Sequence, residues 1–311
     1  MKVEVVVISK EIIKPSSSTP DFLRKYKLSY LDQLSPTLFM PLVYFYPADG
    51  KISNWERSNQ LKKSLPEALT RFYPLAGRIV DNFYVDCNDA GVEFFQAKAE
   101  VELSKILSNP IPDELNKFLP HDPHDFRDFC MAVQVSFLNC GGMVVGLMIS
   151  HKIVDATSLH MFANSWAAIA RGDTDIPYPK FDAATIFPPK DHVPGSNDLV
   201  IKKESTVTKL LVFSTSKIDA LKDEYANTNG EKRRPTRIEA LSTFIWSRFM
   251  ASTQVDENPN KIYLIEPIVN LRPRFDPPLS NDYFGNIWRP ASAIMTMDKD
   301  YCGVVDKIRE P

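Results

Sequence analysis

The stretch MVVGLMISHKIVDATSLHMF, residues 143–162, joins an apolar run to the start of an amphipathic segment. Residues 143–150 are apolar on both faces, which is typical of a strand in the interior of a sheet. The apolar side chains that follow share one helical face and end before Gly172; they are Leu159, Phe162, Ala163, Trp166 and Ile169. The stretch therefore predicts a buried strand, a short turn and a helix, the alternation of an α/β fold.

The length and composition indicate an ordinary globular protein. The chain has 311 residues, of which 44% are hydrophobic and 24% charged, enough for two domains of roughly 150 residues each. A segment rich in Pro, Asp and Gly predicts a crossover linker at 181–205, between an N-terminal domain at 1–180 and a C-terminal domain at 206–311. The formal charge is −2, with no basic face, so a nucleic-acid partner is not expected.

The N-terminal segment indicates where the protein acts. Charges interrupt its apolar run at Glu4, Lys10 and Glu11, which is unlike a signal peptide. Since no window approaches the roughly 20 apolar residues of a membrane span, a cytoplasmic location and no membrane partner are expected. The four cysteines are far apart, so reduced and mostly buried thiols are expected in place of zinc ligands or disulfides.

Periodicity places further elements along the chain. Alternating residues predict strands at 3–7 and 42–47, and helical spacing predicts a helix between Ser53 and Phe72. Strands in 77–87 and 91–99 are separated by the turn signal NDAG, and two strands in 129–150 meet at Asn139 to Gly142. The second half predicts strands near 206–213, 261–270 and 287–297, helices at 215–226 and 236–251, and an amphipathic segment after Lys299.

The pattern H-x-x-x-D occurs three times, at His151 with Asp155, His121 with Asp125 and His124 with Asp128. The last two lie in LPHDPHDFRDF, which lacks apolar periodicity and is interpreted as a solvated acidic loop. Metal ligation is the alternative there, but no second His or Cys cluster supports it.

His151 differs because a buried strand delivers it to the rim of a core. There it is either a general base or a satisfied structural histidine. Asp155 also suits the N-cap of the following helix. The chain has no nucleophile elbow, dinucleotide fingerprint, P-loop or H-E-x-x-H motif. A lone base favours direct transfer to a nucleophile supplied by the substrate.

Five segments together resemble the plant BAHD acyltransferases, most closely the vinorine synthase-like branch of alkaloid acetyltransferases. These segments occur in the family's order: YKLSYLDQL, FYPLAGRI, VDCNDAGVEFF, SHKIVDATS and VNLRPRFDPPLSNDYFGN. The resemblance implies two related α/β domains, each a mixed sheet flanked by helices, with the active site in a channel between them. It also implies transfer of an acyl group from acyl-CoA to a hydroxyl of a plant specialised metabolite, and acetyl is the expected acyl group.

The resemblance also implies residue roles. His151 would be the general base, while Asp155 would pair with Arg272 and hold the histidine turn of the first domain against the second. Gly285 and Asn286 would shape the cleft between the domains. The segment MPLVYFYP resembles the border of the acceptor pocket, where Leu42 and Tyr44 share a strand face and Leu42 would make the pocket apolar.

Family members continue to a D-F-G-W-G motif that these 311 residues do not contain, so a C-terminally truncated copy with an incomplete second domain is expected. The rival functions are a catalytically inactive remnant and a relative with condensation or hydrolytic chemistry. The expected partners are acyl-CoA, as co-substrate, and a small-molecule alcohol. No bound cofactor or metal is expected, and a monomer is the expected state.

Overall fold

A computed structural model provides the structure of the chain and describes five stretches, 2–123, 128–191, 208–226, 233–253 and 262–296. The described residues divide into two compact units. The first contains those up to Leu210 together with Arg272–Ile287, and the second contains those of Leu211–Leu271 and 288–296.

The first unit contains eight strands and six α-helices among its described residues. The strands are β1 Val5–Ile13, β2 Lys25–Lys27, β3 Phe39–Tyr46, β4 Arg78–Val80, β5 Tyr84–Asp86, β6 Val92–Ala99, β7 Met131–Leu138 and β8 Met143–Ser150. The helices are α1 Tyr30–Leu34, α2 Asn54–Arg71, α3 Leu103–Ser108, α4 Pro112–Leu115, α5 Ala156–Arg171 and α6 Ala183–Ile186.

The main sheet of this unit has five strands in the order β1-β6-β7-β8-β3. Strands β6 and β7 pair in parallel, and the other pairs are antiparallel. A smaller sheet has the order β2-β5-β4. A mixed sheet flanked by helices confirms the predicted α/β fold class, and β8 is buried along its whole length, as its two-sided apolar pattern indicates.

Helices α2 and α5 pack together on the large hydrophobic core of the sheet. Phe72 and Phe162 meet edge to face, with ring centroids 5.4 Å apart. Each such ring, fully buried, contributes about 1.5–3 kcal/mol to stability. Ser53 caps α2 in a capping box, and α5 ends at Gly172, whose φ of 86° is left-handed. Both helix ends agree with the sequence signals.

The second unit contains helices α7 Thr215–Ala226 and α8 Arg237–Ser252 and four short strands. These strands are β9 Ile262–Ile265, β10 Ile268–Asn270, β11 Trp288–Pro290 and β12 Ala293–Thr296. They form two antiparallel pairs, β10 with β11 and β12 with β9. The two helix predictions are confirmed, whereas each long predicted strand is two short ones.

Other predictions differ from the structure or are not tested by it. The strand predicted within 77–87 is two short strands, β4 and β5, and the NDAG turn separates β5 from β6, which belongs to a different sheet. Residues 208–213 are not a strand. Most of the predicted linker, from residue 192, and the segment after Lys299 lie outside the described residues. The domain bounds 1–180 and 206–311 stay predictions, although Arg272–Ile287 packs within the first unit.

Candidate active site

The backbone of His151 is fixed at the end of β8. Ser150 is the last residue of the strand and pairs with Phe39 of β3. The His151 N–H then donates to the Leu38 carbonyl at 2.8 Å, so the pairing extends one residue past the strand. Because the next two apolar residues, Ile153 and Val154, are completely buried, the histidine turn lies against the core and not in a free loop.

The imidazole is oriented by Asn286, from the segment that packs into the first unit late in the chain. His151 Nδ1 lies 3.1 Å from Asn286 Oδ1. The Asn286 amide nitrogen donates to the His151 carbonyl at 2.7 Å and to Asp32 Oδ1 at 2.8 Å. Both acceptors lie on the nitrogen side of the amide, so its oxygen faces the ring. In a neutral imidazole, Nδ1 then carries the hydrogen and Nε2 is the basic nitrogen.

Asp155 begins helix α5 and accepts from the Ser158 N–H at 2.8 Å, which confirms the N-cap prediction. The same carboxylate pairs with Arg272 at 2.6 Å and accepts from the Ile287 N–H at 3.1 Å. The side chain of Arg272 is fully buried and that of Asp155 is 7% exposed. Burial of an ion pair is tolerated when hydrogen bonds replace the lost water.

Arg272 has those additional hydrogen bonds. Its guanidinium donates to the carbonyls of Tyr283 and Gly285 at 2.8 and 3.1 Å and to Ser158 Oγ at 3.2 Å. The ion pair therefore holds the loop 283–287 against the start of α5. Both partners belong to the first compact unit, although Arg272 lies within the bounds predicted for the second domain.

Gly285 lies in this loop with a φ of +121°, a backbone conformation that residues with a Cβ rarely adopt. A Cβ there would approach the Ala183 Cβ at 3.1 Å and Asp32 Oδ1 at 3.6 Å. The glycine thus allows both this backbone conformation and the close approach to Ala183 in the loop that carries Asn286. The predicted role of Gly285 and Asn286 in shaping a cleft between domains stays a prediction.

Two buried charges near His151 were missed by the sequence analysis. Asp32 is fully buried, and Lys152 is 4% exposed and donates to the Gln33 carbonyl at 3.0 Å. Burial lowers the pKa of Lys152 to about 8, while the nearby Asp32 charge acts in the opposite direction. The available signal for Asp32 was the capping-box spacing of Ser29 and Asp32 in YKLSYLDQL.

Leu42 and Tyr44 lie on β3, at the edge of the main sheet. Both are partly buried and pack against the large core, so they share a strand face as predicted. Leu42 is three positions beyond Phe39, the partner of Ser150, or about 10 Å along the strand, and Tyr44 is about 7 Å further. Leu42 is therefore nearer to the histidine turn, while the acceptor role of both residues stays a prediction.

The acidic loop that carries the other H-x-x-x-D patterns is described only in part, because His124 and Asp125 lie outside the described residues. The prediction of a solvated loop is wrong for His121, whose side chain is 11% exposed and lies 2.5 Å from Glu93. Its ring also contacts Phe95 and Phe129. These contacts give His121 a structural role at the end of the sheet.

An open groove of about 750 Å³ runs along the outer face of α5. Its lining includes Thr157, His160, Asn164 and Arg171 but not His151. Among the described residues, no cluster of His, Cys, Asp or Glu side chains could hold a metal ion. In the same part of the chain, no helix has the length and apolar character to cross a bilayer.

Comparison with known proteins gives a consistent result along the chain. The model of the Transferase family matches residues 1–300. The chain is 39% identical to stemmadenine O-acetyltransferase of Catharanthus roseus, over 99% of this chain and 75% of that protein. It is 38% identical to vinorine synthase of Rauvolfia serpentina, over 97% of this chain and 74% of that one.

Solved structures show the same similarity in three dimensions. The crystal structure of vinorine synthase superposes with a TM-score of 0.90 at 37% identity and covers 98% of this chain and 75% of its own. TRI101 of F. sporotrichioides, solved with coenzyme A and T-2, superposes with a TM-score of 0.68 at 16% identity. It covers 92% of this chain and 73% of its own, and at that identity the match shows the fold alone.

Proposed function

The chain belongs to the Transferase family of acyltransferases, and from that premise we propose that it moves an acyl group from coenzyme A to a hydroxyl of a plant specialised metabolite. Two named relatives, stemmadenine O-acetyltransferase and salutaridinol 7-O-acetyltransferase, act as O-acetyltransferases according to their names, which supports acetyl as the group. Coenzyme A was found in the crystal structure of TRI101, which shares the fold.

His151 is the general base in this proposal, and its hydrogen bond to Asn286 is the observation that carries it. Nδ1 donates to the amide oxygen 3.1 Å away, so Nε2 accepts the proton of the acceptor hydroxyl. The acceptor oxygen attacks the thioester carbonyl, and the tetrahedral intermediate collapses with cleavage of the carbon–sulfur bond. The departing thiolate takes the proton from the imidazolium, which returns the neutral base. The products are the ester and free coenzyme A.

Asp155 has a structural role in the proposed mechanism and is not a triad member. Its carboxylate binds Arg272 and the Ser158 and Ile287 N–H groups. These contacts fix the turn on which His151 lies and the loop that carries Asn286. The residue therefore acts on the reaction through the position of other groups.

Leu42 borders the proposed acceptor pocket. Its location on the edge strand, on the core side of the sheet, supports an apolar surface for a bulky alkaloid or terpenoid alcohol. A cytoplasmic location and a monomeric state stay predictions. Light scattering after size-exclusion chromatography would test the monomeric state, for which the expected mass is that of one chain, 35.3 kDa.

The decisive experiment measures release of free thiol from acetyl-CoA by the purified chain, with and without a panel of alkaloid and terpenoid alcohols. Transfer requires release that depends on an alcohol and falls about a hundred- to ten-thousandfold in His151→Ala, with the fold retained. His160→Ala is the matched control, because this second histidine is exposed on α5. Thiol release without an alcohol indicates hydrolysis, and no release with any acceptor contradicts the proposal.

A further inference from the structure

Asp32 is a fully buried carboxylate that the proposed mechanism does not use directly. It is the third residue of the short helix α1, where an acidic residue normally completes a capping box at the protein surface. Here only one oxygen serves the cap. Oδ2 accepts from the Ser29 N–H at 2.9 Å and from Ser29 Oγ at 2.7 Å.

The other oxygen faces the segment that carries Asn286. Oδ1 accepts from the Asn286 backbone N–H and from its side-chain amide nitrogen, both at 2.8 Å. Asp32 and Asn286 are separated by 254 positions in the sequence. The carboxylate thus contacts the residue that contacts the His151 ring.

We propose that Asp32 is a positioning residue for His151, because its carboxylate fixes the orientation of the Asn286 amide and thereby the protonated nitrogen of the imidazole. The proposal rests on the proposed role of His151 as the base. An ionised carboxylate only accepts hydrogen bonds, so it requires the amide nitrogen of Asn286 to face it. The amide oxygen must then face Nδ1, which holds the hydrogen there and leaves Nε2 basic.

The opposite orientation of the amide shows why a charge is effective here. A flipped Asn286 would place its oxygen beside the Asp32 carboxylate and the His151 carbonyl, and neither of these acceptors can donate a hydrogen bond to it. Its nitrogen would face the ring and stabilise a hydrogen on Nε2, the nitrogen that must accept the substrate proton. In the Ser-His-Asp triad of serine proteases, replacing the aspartate that fixes the histidine tautomer by asparagine reduces turnover by about 10⁴-fold.

Four hydrogen bonds to its two oxygens favour the ionised form of Asp32 against the effect of burial. Burial raises the pKa of Asp32 above its ordinary value, and the hydrogen bonds from Ser29 and Asn286 reduce this rise without cancelling it. Lys152, beside His151 in the sequence, adds a positive charge to the same region. Four donors and a nearby cation are an arrangement that holds a carboxylate as an anion in a low-dielectric site.

Asp32→Asn is the primary test, since an amide of the same size replaces one acceptor by a donor. The full chain is labelled with ¹³C and ¹⁵N histidine, and the His151 nitrogens are assigned from their loss in His151→Gln. The proposal expects Nδ1 protonation in the wild type, a mixture of tautomers in Asp32→Asn, and a turnover lower by about ten- to a hundredfold. Acceptor KM is expected to change much less than turnover.

Glu56→Gln is the matched control, because Glu56 holds the same capping-box position in α2 but is exposed. If Asp32 were only a cap, both variants would lower the melting temperature and neither would change the His151 spectrum. A folded Asp32→Asn variant with the wild-type tautomer and turnover would overturn the proposal. The spectrum needs no turnover, so it separates failure of this inference from failure of the acyltransferase proposal.

A second pair of variants covers the case in which Asp32→Asn does not fold. Ser29→Ala loosens the carboxylate without removing it, and Ser53→Ala removes the equivalent hydroxyl at α2. The proposal expects the His151 spectrum to change in Ser29→Ala and to stay unchanged in Ser53→Ala. An unchanged spectrum in both variants would contradict it.

Discussion

Replacing Asp155 by alanine removes the carboxylate at which the histidine turn, helix α5 and the loop 283–287 meet. The change leaves the Arg272 guanidinium buried with its charge uncompensated. It also removes the acceptor of the Ser158 N–H at the helix start. The backbone N–H of Ile287 loses its partner in the same carboxylate.

The structure sets the size of the expected effect. Breaking a buried ion pair by removing one partner costs about 3–5 kcal/mol, and loss of an N-cap adds about 1 kcal/mol. For a domain of this size, each kcal/mol lowers the melting temperature by roughly 2–4 °C. Asp155→Ala is therefore expected to melt roughly 8–24 °C below the wild type.

Circular dichroism during heating and urea titration would measure the change. Asp173→Ala is the matched control, because Asp173 pairs with Arg171 at the same 2.6 Å distance but with side chains that are 46% and 64% exposed. An exposed pair contributes about 0–1 kcal/mol. Asp155→Asn keeps a cap acceptor, so its difference from Asp155→Ala isolates the cap from the charge.

Turnover per folded molecule distinguishes a structural role of Asp155 from a catalytic one. In Asp155→Asn, it is expected to fall less than in His151→Ala, because the aspartate touches no reacting atom in the proposed mechanism. A melting temperature of Asp155→Ala no lower than that of Asp173→Ala would contradict a stabilising role for the buried ion pair. A fully folded Asp155→Asn variant that loses as much activity as His151→Ala would contradict the structural role of Asp155.

Three further predictions concern backbone strain, pH and the acceptor pocket. Gly285→Ala places a Cβ on a residue with a φ of +121° and against Ala183. The free energy of unfolding measured by urea titration is expected to fall by about 1–3 kcal/mol, and an unchanged value would contradict this prediction. Burial lowers the pKa of Lys152 to about 8, so above that pH the unfolded chain binds more protons. The free energy of unfolding then rises with pH toward the ordinary lysine pKa, by up to about 1.4 kcal/mol per unit. Lys152→Met should remove this slope in urea titrations between about pH 7 and 10, and parallel curves for the two proteins would contradict the assignment. Leu42→Ser should gain thiol-release activity on polar acceptors relative to the wild type, and an unchanged acceptor range would count against an apolar pocket there.

The local features of the candidate site could be predicted from sequence because their causes are local. An apolar strand, an N-cap at Asp155 and a glycine stop at Gly172 each depend on neighbours within about one helical turn. The hairpin of β7 and β8 is local in the same sense, since Asn139 to Gly142 join strands that pair directly. These predictions are confirmed where the structure describes them.

The contacts between distant segments could not be derived in this way. Nothing near Asp32 in the sequence indicates that Asn286, 254 positions away, contacts its second oxygen. The sheet to which a short strand belongs also depends on distant partners, so β5 and β6 could not be assigned to different sheets from the turn between them. Resemblance to a family suggested the pairing of Asp155 with Arg272, but periodicity did not.

The inclusion of Arg272–Ile287 in the first unit affects how the protein folds during synthesis. When residue 210 leaves the ribosome, Asp155 and Asp32 still lack their late partners, Arg272 and Asn286. The next roughly 75 residues, up to Asn286, take about 4–15 s to translate, at roughly 5–20 residues per second. During that interval the first unit can form its sheet, but not the contacts of Asp155 with Arg272 and of Asp32 with Asn286. Completion of the first unit is therefore timed by the synthesis of the second.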